Sequence, residues 1–298
     1  MATEEIMDDP LFEFEWNQLE DAPREFEEAL LTIVARSRDG EMHSVGTGFV
    51  VKAWANSALV VTAAHVFAEV QRLQRARGRR SHHTTLPEFS PAPKPIELSL
   101  RDLATLTLKA ERVIVGVTTG LAFDERGDFA VAQIEAQKGQ EADFPLREFL
   151  LDDQLPRVGQ LVCVASYAAL TCSMKEPDRF EVSRKLVVRV GKVLDVFPEG
   201  QRLCRGSCFE TSIPVYSGMS GSPVFWYEPD RPLTAIGLVC SDPDLDGPNK
   251  DDRRIAGRSL VACLPVERVS GSRGGQQTLK LSLTLTSGSG TLSIEADG

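Results

Sequence analysis

From about residue 30 onward, the chain alternates between short apolar runs and turns built from glycine, proline and charged residues. The runs are rich in β-branched residues, and few of them follow the helical period of about 3.6 residues. Many short strands at this spacing predict an all-β barrel or sandwich. The first set of runs is "LLTIVARS", "SVGTGFVVKA", "ALVVTAA", "TLTLKAERVIVGV" and "FAVAQI", and the second set is "QLVCVAS", "RKLVVRVGKVLDVF", "RLCRGSCFETSI", "SPVFWY", "TAIGLVCS" and "SLVACL".

The two sets of predicted strands are separated by the segment "FPLREFLLDDQLPRVG", which we interpret as an interdomain connection. We therefore expect one β domain at 29–145 and a second at 146–268. The remaining tail, 269–298, begins with the flexible linker "SGSRGGQQ" and continues with two alternating runs, "TLKLSLTL" and "TLSIEA". These runs predict either a hairpin or strand pairing with a partner.

Two further segments depart from the strand pattern. Residues 1–28 contain eleven acidic residues against one base, Arg24, and we expect an acidic leader with a short helix near its end. An insertion at 71–97 begins with a helical pattern and becomes polar and proline-rich. Its five arginines between Arg72 and Arg80 are compatible with nucleic-acid binding. A solvated helix and loop is favoured instead, because no aromatic residues are interleaved with these arginines.

Overall charge narrows the classes of partner. The chain has 298 residues and a formal net charge of −10, which argues against general affinity for nucleic acid or anionic membranes. It contains no apolar run approaching the length of about 20 residues that a membrane-spanning helix needs. The N-terminus lacks the basic and apolar regions of a secretory signal, so we expect a cytoplasmic protein with no membrane partner.

Cysteine usage agrees with a reducing compartment. All six cysteines lie in the second half of the chain, mostly inside apolar runs, and we expect buried reduced thiols. The pair Cys204 and Cys208 has the spacing to begin a metal site, but no paired motif or nearby histidine completes one. We therefore expect no metal and no other cofactor. The six are Cys163, Cys172, Cys204, Cys208, Cys240 and Cys263.

Three short segments contain residue types suited to nucleophilic catalysis. His65 stands at a strand end in "ALVVTAAHVF", Asp128 follows a glycine turn in "ERGDFAVAQIE", and Ser220 lies among small residues in "YSGMSGSPVF". Each has an ordinary structural explanation, as a packed histidine, a turn aspartate or a turn serine. A serine hydroxyl is a poor nucleophile until an adjacent imidazole takes its proton. The three residue types together are therefore those needed to activate a serine nucleophile.

The segments "VTAAHV", "DFAVAQI" and "GMSGSPVF" together resemble the signature segments of the trypsin-like, chymotrypsin-fold serine peptidases, and the likeness spans roughly 30–268. The resemblance implies two antiparallel six-stranded β-barrels with the active site between them. It also implies that His65 is the base, Asp128 its orienting acid and Ser220 the nucleophile. The backbone N–H groups of Gly218 and Ser220 would form the oxyanion hole. If Asp128 were not the orienting acid, Asp124 would be the nearest alternative.

Departures from the family pattern concern activation and specificity. Met219 replaces the aspartate that pairs with a newly cut N-terminus in digestive members, and Val66 replaces a disulfide cysteine of secreted ones. Both departures resemble the bacterial intracellular type, and they favour regulation by a partner over zymogen cleavage. By resemblance, the residues of the specificity pocket are Pro214, Cys240, Ser241 and Asp242.

The sequence thus predicts a serine endopeptidase that hydrolyses proteins or peptides through an acyl-enzyme intermediate. A separate regulatory or sensor protein is the expected partner. Two alternatives stay open at this point: a catalytically silent binding module with the same fold, and an esterase using the same triad.

Overall fold

A computed structural model describes most of the chain, and its gaps fall mainly in the leader, the insertion and the loop after residue 241. The described residues are 12–17, 24–38, 40–75, 99–109, 112–124, 127–144, 146–176, 179–201, 204–216, 218–228, 233–241, 258–270, 277–284 and 291–297. Nearly all of the regular structure within these ranges is β-strand.

Six antiparallel strands of the first half form a closed barrel. They are β2 (Leu30–Arg36), β3 (Met42–Ala53), β4 (Ser57–Ala63), β5 (Leu103–Lys109), β6 (Arg112–Asp124) and β7 (Phe129–Ala136). Their spatial order is β2-β3-β4-β7-β6-β5, and β5 pairs back with β2 to close the barrel. Closure leaves no exposed sheet edge, which matches the apolar, β-branched composition of these strands.

Six strands of the second half form another closed antiparallel barrel. They are β9 (Leu161–Glu176), β10 (Arg179–Phe197), β11 (Cys208–Thr211), β12 (Pro223–Trp226), β13 (Thr234–Ser241) and β14 (Ser259–Cys263). Their order is β10-β11-β14-β13-β12-β9, and β9 pairs back with β10. The prediction of an all-β fold with two six-stranded barrels is therefore confirmed.

The connection between the barrels packs between them through aromatic side chains. Phe149, which is 1% exposed, has its ring centroid 5.4 Å from that of Phe49 in the first barrel and 6.3 Å from that of Phe225 in the second. Burying one such ring stabilises a fold by about 1.5–3 kcal/mol. The short strand β8 (Leu150–Leu151) follows directly and pairs in parallel with β13. These contacts fix how the loops of the two barrels face each other.

Segments outside the barrels also form regular structure. The predicted leader contributes strand β1 (Phe12–Asn17), which pairs with β10 from Lys185 to Val190, and helix α1 (Arg24–Ala29). The strand corresponds to the alternation "FEFEWN", whose period of two is hidden by the acidity of the segment as a whole. The C-terminal segment forms a three-stranded sheet of β15 (Val266–Ser270), β16 (Gln277–Thr284) and β17 (Thr291–Asp297).

The longest described helix, α2, runs from Ala64 to Arg75 and begins where β4 ends. Most of the predicted insertion at 71–97 lies outside the described residues, because residues 76–98 are not described. Two single-turn 3₁₀ helices occupy Leu100–Asp102 and Glu141–Asp143. Among the described helices, none has the length and apolar character needed to cross a membrane.

Candidate active site

His65 and Asp128 meet at one end of the first barrel. Strands β4 and β7 pair with Ala63 opposite Phe129, so the residues that leave one strand and enter the other are neighbours. The carbonyl oxygen of Asp128 accepts the Ala64 N–H at 3.1 Å. Its carboxylate accepts the His65 backbone N–H at 2.9 Å through Oδ1 and lies 2.7 Å from His65 Nδ1 through Oδ2. Strand pairing thus brings two of the sequence-predicted site residues together.

The backbone of Asp128 is held in an uncommon conformation. Its φ is +53°, the only positive φ of a non-glycine residue among the described residues. Aspartate and asparagine tolerate this left-handed region better than other side chains, and residues held there cluster at functional sites. Asp128 is 3% exposed, so its carboxylate is shielded from water on the side away from His65. The strained turn therefore fixes the direction of a buried acid.

The hydrogen bond to Asp128 determines which nitrogen of His65 is available. With Nδ1–H donating to the carboxylate, the neutral ring keeps its lone pair on Nε2, where it can accept a proton. Burial of the ring lowers the pKa of His65, but the charge and hydrogen bond of Asp128, together with the charge of Glu69, outweigh burial. The pKa of His65 is therefore raised above the ordinary histidine value, which suits a base that must hold a proton briefly.

The sulfur and backbone of Met219 organise a tight turn just before Ser220. The N–H of Met219 donates to the carbonyl oxygen of Tyr216 at 3.1 Å, and Gly218 has a φ of +88°. A hydrogen bond across three residues with a positive φ at the third is typical of a type II turn, which needs glycine at that position. We call this feature, defined by Tyr216, Gly218 and Met219, the first turn.

A second turn of the same kind follows without a break. The N–H of Ser222 donates to the carbonyl oxygen of Met219 at 2.9 Å, and Gly221 has a φ of +81°. Ser220 is the second residue of this turn, and its side chain is only partly buried. The run of small residues around Ser220 is therefore required by two consecutive turns rather than by one.

The backbone donors of Gly218 and Ser220 have no acceptor within the described part of the chain. Both belong to the two consecutive turns, and the residue between them, Met219, uses its own N–H inside the first turn. Backbone N–H donors of this kind, when aimed at one point, are what an oxyanion hole is built from.

Thr47 of β3 attaches this loop to the first barrel. Its N–H donates to the carbonyl oxygen of Ser220 at 2.9 Å, and its Oγ1 donates to the carbonyl oxygen of Gly218 at 2.8 Å. Thr62 Oγ1 in turn donates to the carbonyl oxygen of Thr47 at 2.7 Å. Both threonines are fully buried, so these hydrogen bonds are shielded from water.

Ser220 is brought beside the residue that follows His65. A Cβ atom added to Gly46 would lie 2.8 Å from the Ser220 carbonyl oxygen and 2.7 Å from Cγ2 of Val66. Between the described side chains of Ser220 and His65 there is no direct hydrogen bond, and catalytic hydrogen bonds are often long before substrate binds. Asp124, the alternative orienting acid, accepts the Gly127 N–H at 3.4 Å.

The predicted pocket residues are only partly described. Pro214 is buried just before the first turn. Cys240 lies on β13, is 2% exposed, and donates its thiol hydrogen to the Leu260 carbonyl oxygen at 3.4 Å. Ser241 is the last residue of β13, and Asp242 lies outside the described residues. Strand β13 also borders the two turns around Ser220, because the carbonyl oxygen of Val239 accepts the Gly221 N–H at 2.8 Å.

A group of buried thiols lies behind the His65–Asp128 pair. Cys204 Sγ lies 3.7 Å from the carbonyl oxygen of Gly127, the residue before Asp128. Hydrogen bonds from the thiols of Cys208 and Cys240 lower the pKa of Cys204, whereas burial raises the pKa of Cys240 well above its ordinary value. Within the described residues, no group of three or more metal-binding side chains is arranged to hold a metal ion.

Thr47 and Arg189 contact the two turns around Ser220, and neither residue is predicted from the sequence to lie there. Thr47 lies in "GTGFVV", where the sequence shows a threonine between two glycines but not which loop it reaches. Arg189 alternates with apolar residues in β10, a pattern that indicates a solvent-facing side chain. It is in fact 5% exposed. No local signal could reveal either contact, because both partners lie far away in the chain.

A known protein family matches this chain, and two of the similar solved structures are described here. Residues 46–229 match the family described as "Trypsin-like peptidase domain". The crystal structure of the Rv3671c protease from M. tuberculosis in its active form is similar, with 14% identity, a TM-score of 0.42, and coverage of 80% of this chain and 76% of that one.

The crystal structure of a scabies mite inactivated protease paralogue, S-I1, is similar with 13% identity and a TM-score of 0.49, covering 82% of this chain and 92% of that one. Among curated proteins, no sequence matches the chain significantly.

Proposed function

This chain belongs to the trypsin-like peptidase family, a family of serine proteases that act on proteins or peptides, and we propose that Ser220, His65 and Asp128 form its catalytic triad. The observation that carries the proposal is the pair of hydrogen bonds between the Asp128 carboxylate and His65, which leaves His65 Nε2 as the free base. A Cβ added to Gly46 would meet both the Ser220 carbonyl oxygen and the Val66 side chain, and this closeness of Ser220 to the residue after His65 supports Ser220 as the nucleophile.

In the proposed reaction, Ser220 Oγ attacks the carbonyl carbon of the scissile peptide bond while its proton moves to His65 Nε2. The tetrahedral intermediate collapses as His65 gives that proton to the leaving amine, and the acyl group stays on Ser220. A water molecule then attacks the ester, again with His65 as base, and releases the acid. The Asp128 carboxylate stabilises the imidazolium, in agreement with the raised pKa of His65.

The oxyanion of each tetrahedral intermediate is bound by the N–H groups of Gly218 and Ser220 in this proposal. Support comes from the two turns, in which the N–H groups of Gly218 and Ser220 have no acceptor within the described chain. The hydrogen bonds from Thr47 hold the carbonyl groups of the same two residues, and they restrain both turns before substrate binds.

Control of the enzyme is proposed to come from a separate regulatory protein and not from cleavage of a zymogen. Met219 is 1% exposed and cannot form an ion pair with a new N-terminus. Specificity is proposed to differ from that for Lys or Arg, because the residue at the pocket base, Pro214, carries no acid. Cys240, Ser241 and Asp242 are proposed to line the wall of that pocket.

The proposed compartment is the cytoplasm. Five described cysteines have free thiols, namely Cys163, Cys204, Cys208, Cys240 and Cys263, which agrees with a reducing environment. The net charge of −10 supports a protein or peptide substrate over nucleic acid or an anionic membrane.

The proposal is tested by incubating the purified protein with a complex peptide library and identifying new termini by mass spectrometry, with Ser220→Ala as the control. We expect peptide cleavage that is lost in Ser220→Ala. Hydrolysis of ester substrates alone would instead indicate an esterase. Peptide binding without turnover in the unmodified protein would indicate a binding module, and either result would contradict the proposed function.

A further inference from the structure

Arg189 lies in the middle of β10 and is the only lysine or arginine that is buried among the described side chains. Taking a guanidinium group out of water is unfavourable unless other groups compensate for the lost hydration. A charged side chain at such a position therefore has a specific structural role.

The guanidinium of Arg189 contacts both ends of the first turn. Its Cζ lies 4.4 Å from the ring centroid of Tyr216, within the range of a cation–π interaction. Its Nη1 lies 3.7 Å from Met219 Sδ, and the same sulfur accepts the Tyr216 N–H at 3.2 Å. Arg189, Tyr216 and Met219 thus form one contact group beneath the turn that contains Gly218.

The first turn needs such support because glycine does not enforce its own conformation. Gly218 has a φ of +88°, but glycine adopts positive and negative φ with similar ease. The direction of the Gly218 N–H therefore depends on contacts made by the residues at the two ends of the turn. These residues are Tyr216 and Met219, and Arg189 contacts both of them.

We propose that Arg189 is a positioning residue that holds the first turn in the form in which the Gly218 N–H points into the oxyanion site. The proposal rests on the proposed function for its effect on catalysis, but its effect on the turn itself is independent of any activity. In this proposal Arg189 acts through Tyr216 and Met219 and not by direct contact with the substrate.

The test compares Arg189→Met, which fills a similar volume without charge, with Arg189→Lys, which keeps the charge but loses the planar guanidinium. Tyr216→Leu removes the aromatic ring that the Arg189 guanidinium contacts. Because Tyr216 is 42% exposed, this variant is expected to fold. Val190→Ala is the control, because Val190 is the fully buried neighbour on β10 and its truncation destabilises the barrel without touching the turn.

Catalysis is read out first. We expect Arg189→Met to lower kcat about 100-fold, the effect of losing one oxyanion donor, with KM changed by less than about threefold. Arg189→Lys should recover part of this loss, and Tyr216→Leu should lower kcat in the same direction. A peptide aldehyde, which forms an oxyanion on Ser220, should bind Arg189→Met more weakly than it binds the unmodified protein. A product peptide should bind Arg189→Met and the unmodified protein equally.

The turn is read out directly by amide hydrogen exchange of the segment Tyr216–Ser222. We expect exchange there to become at least about tenfold faster in Arg189→Met but not in Val190→Ala of similar melting temperature. Unchanged exchange and unchanged kcat in Arg189→Met would overturn the proposal, as would losses equal to those of Val190→Ala. If the unmodified protein cleaves no peptide, the proposed function fails, while the exchange measurement still decides the role of Arg189.

Discussion

The backbone N–H of Thr47 lies 2.9 Å from the carbonyl oxygen of Ser220, so a strand of the first barrel holds the proposed nucleophile of the second. The same threonine donates its hydroxyl to Gly218, the other residue of the proposed oxyanion hole. The hydroxyl and the backbone N–H of Thr47 therefore hold two consecutive turns across the contact between the barrels. The position of the proposed base, on the first barrel, is in this way linked to that of the nucleophile.

Thr47→Val tests this link. The substitution keeps the shape of the side chain but removes the hydrogen bond to the Gly218 carbonyl oxygen, whose net value is about 1–1.5 kcal/mol. We expect kcat/KM for a peptide substrate to fall about tenfold, since 1.36 kcal/mol corresponds to a factor of ten. Thr47→Ser keeps the hydroxyl and should retain nearly full activity. Equal activity of the valine and serine variants would show that the hydroxyl does not order the loop.

Asp128→Asn should nearly abolish turnover while leaving the fold intact. Asparagine tolerates the φ of +53° at this position, but it no longer holds the ring tautomer with a free Nε2. We expect kcat to fall by about 10⁴ with little change in melting temperature. Asp128→Ala should lose about 1 kcal/mol of stability in addition, because alanine is disfavoured at positive φ. Kinetic assays and thermal unfolding measure the two effects separately.

Asp124→Asn is the matched control for this substitution. Its carboxylate is the alternative acid predicted from the sequence, and in the structure it accepts the Gly127 N–H. We expect it to retain most of the activity. If Asp128→Asn were fully active and Asp124→Asn inactive, the orienting acid would have to be reassigned.

The raised pKa of His65 has a definite consequence for pH dependence. Burial lowers the pKa of the ring, and the Asp128 carboxylate raises it by more, so protonated His65 is favoured at pH values where an ordinary histidine is neutral. Since the base must be neutral, kcat/KM should fall as pH decreases through a midpoint above about 6.5. Removing the Asp128 charge leaves burial as the main influence, so the midpoint should move to lower pH.

Both midpoints can be measured by NMR titration of the His65 ring in the Ser220→Ala background, with and without Asp128→Asn. The signal is assigned by its loss in His65→Gln, which separates it from His43, His82 and His83. A midpoint that did not move, or moved upward, in Asp128→Asn would contradict the origin assigned to the shift.

The β architecture and the three proposed catalytic residues could be predicted because their signals are local. Short β-branched runs specify strands wherever they occur, and His65, Asp128 and Ser220 each lie in a segment whose neighbours are set by the turn it makes. Strand β1 is harder to predict, because the acidic composition of the leader obscures the alternation "FEFEWN".

The supporting contacts of the site could not be predicted. The burial of Arg189 depends on Tyr216 and Met219, which approach it only after the barrel closes. Likewise, Thr47 reaches Gly218, 171 residues away, through the packing of two barrels. Neither contact leaves a pattern in the sequence around the residue itself. The sequence therefore indicates the candidate catalytic residues, but it does not indicate the residues that hold them in place.

Gly221→Ala should damage both stability and activity. Gly221 has a φ of +81°, and an added Cβ would overlap Thr62 Oγ1 and the Thr47 carbonyl oxygen and lie 2.9 Å from the Ala63 nitrogen. We expect a loss of more than about 2 kcal/mol in the free energy of unfolding, measured by urea denaturation, together with loss of activity. Gly120→Ala is the control, because its nearest contact would be the Gln133 Cβ at 3.5 Å. Equal stability of the two variants would mean that the two turns around Ser220 can move away from the first barrel.

The central claim is that Ser220 is an activated nucleophile, and labelling with a fluorophosphonate tests it most directly without knowledge of the substrate. The reagent bonds its phosphorus to the serine oxygen and releases fluoride, and it reacts with serines that have an adjacent base and an oxyanion site. We predict one adduct per chain by intact mass, assigned to Ser220 by peptide mapping and absent in Ser220→Ala. A folded protein that formed no adduct, or an adduct that persisted in Ser220→Ala, would contradict the account.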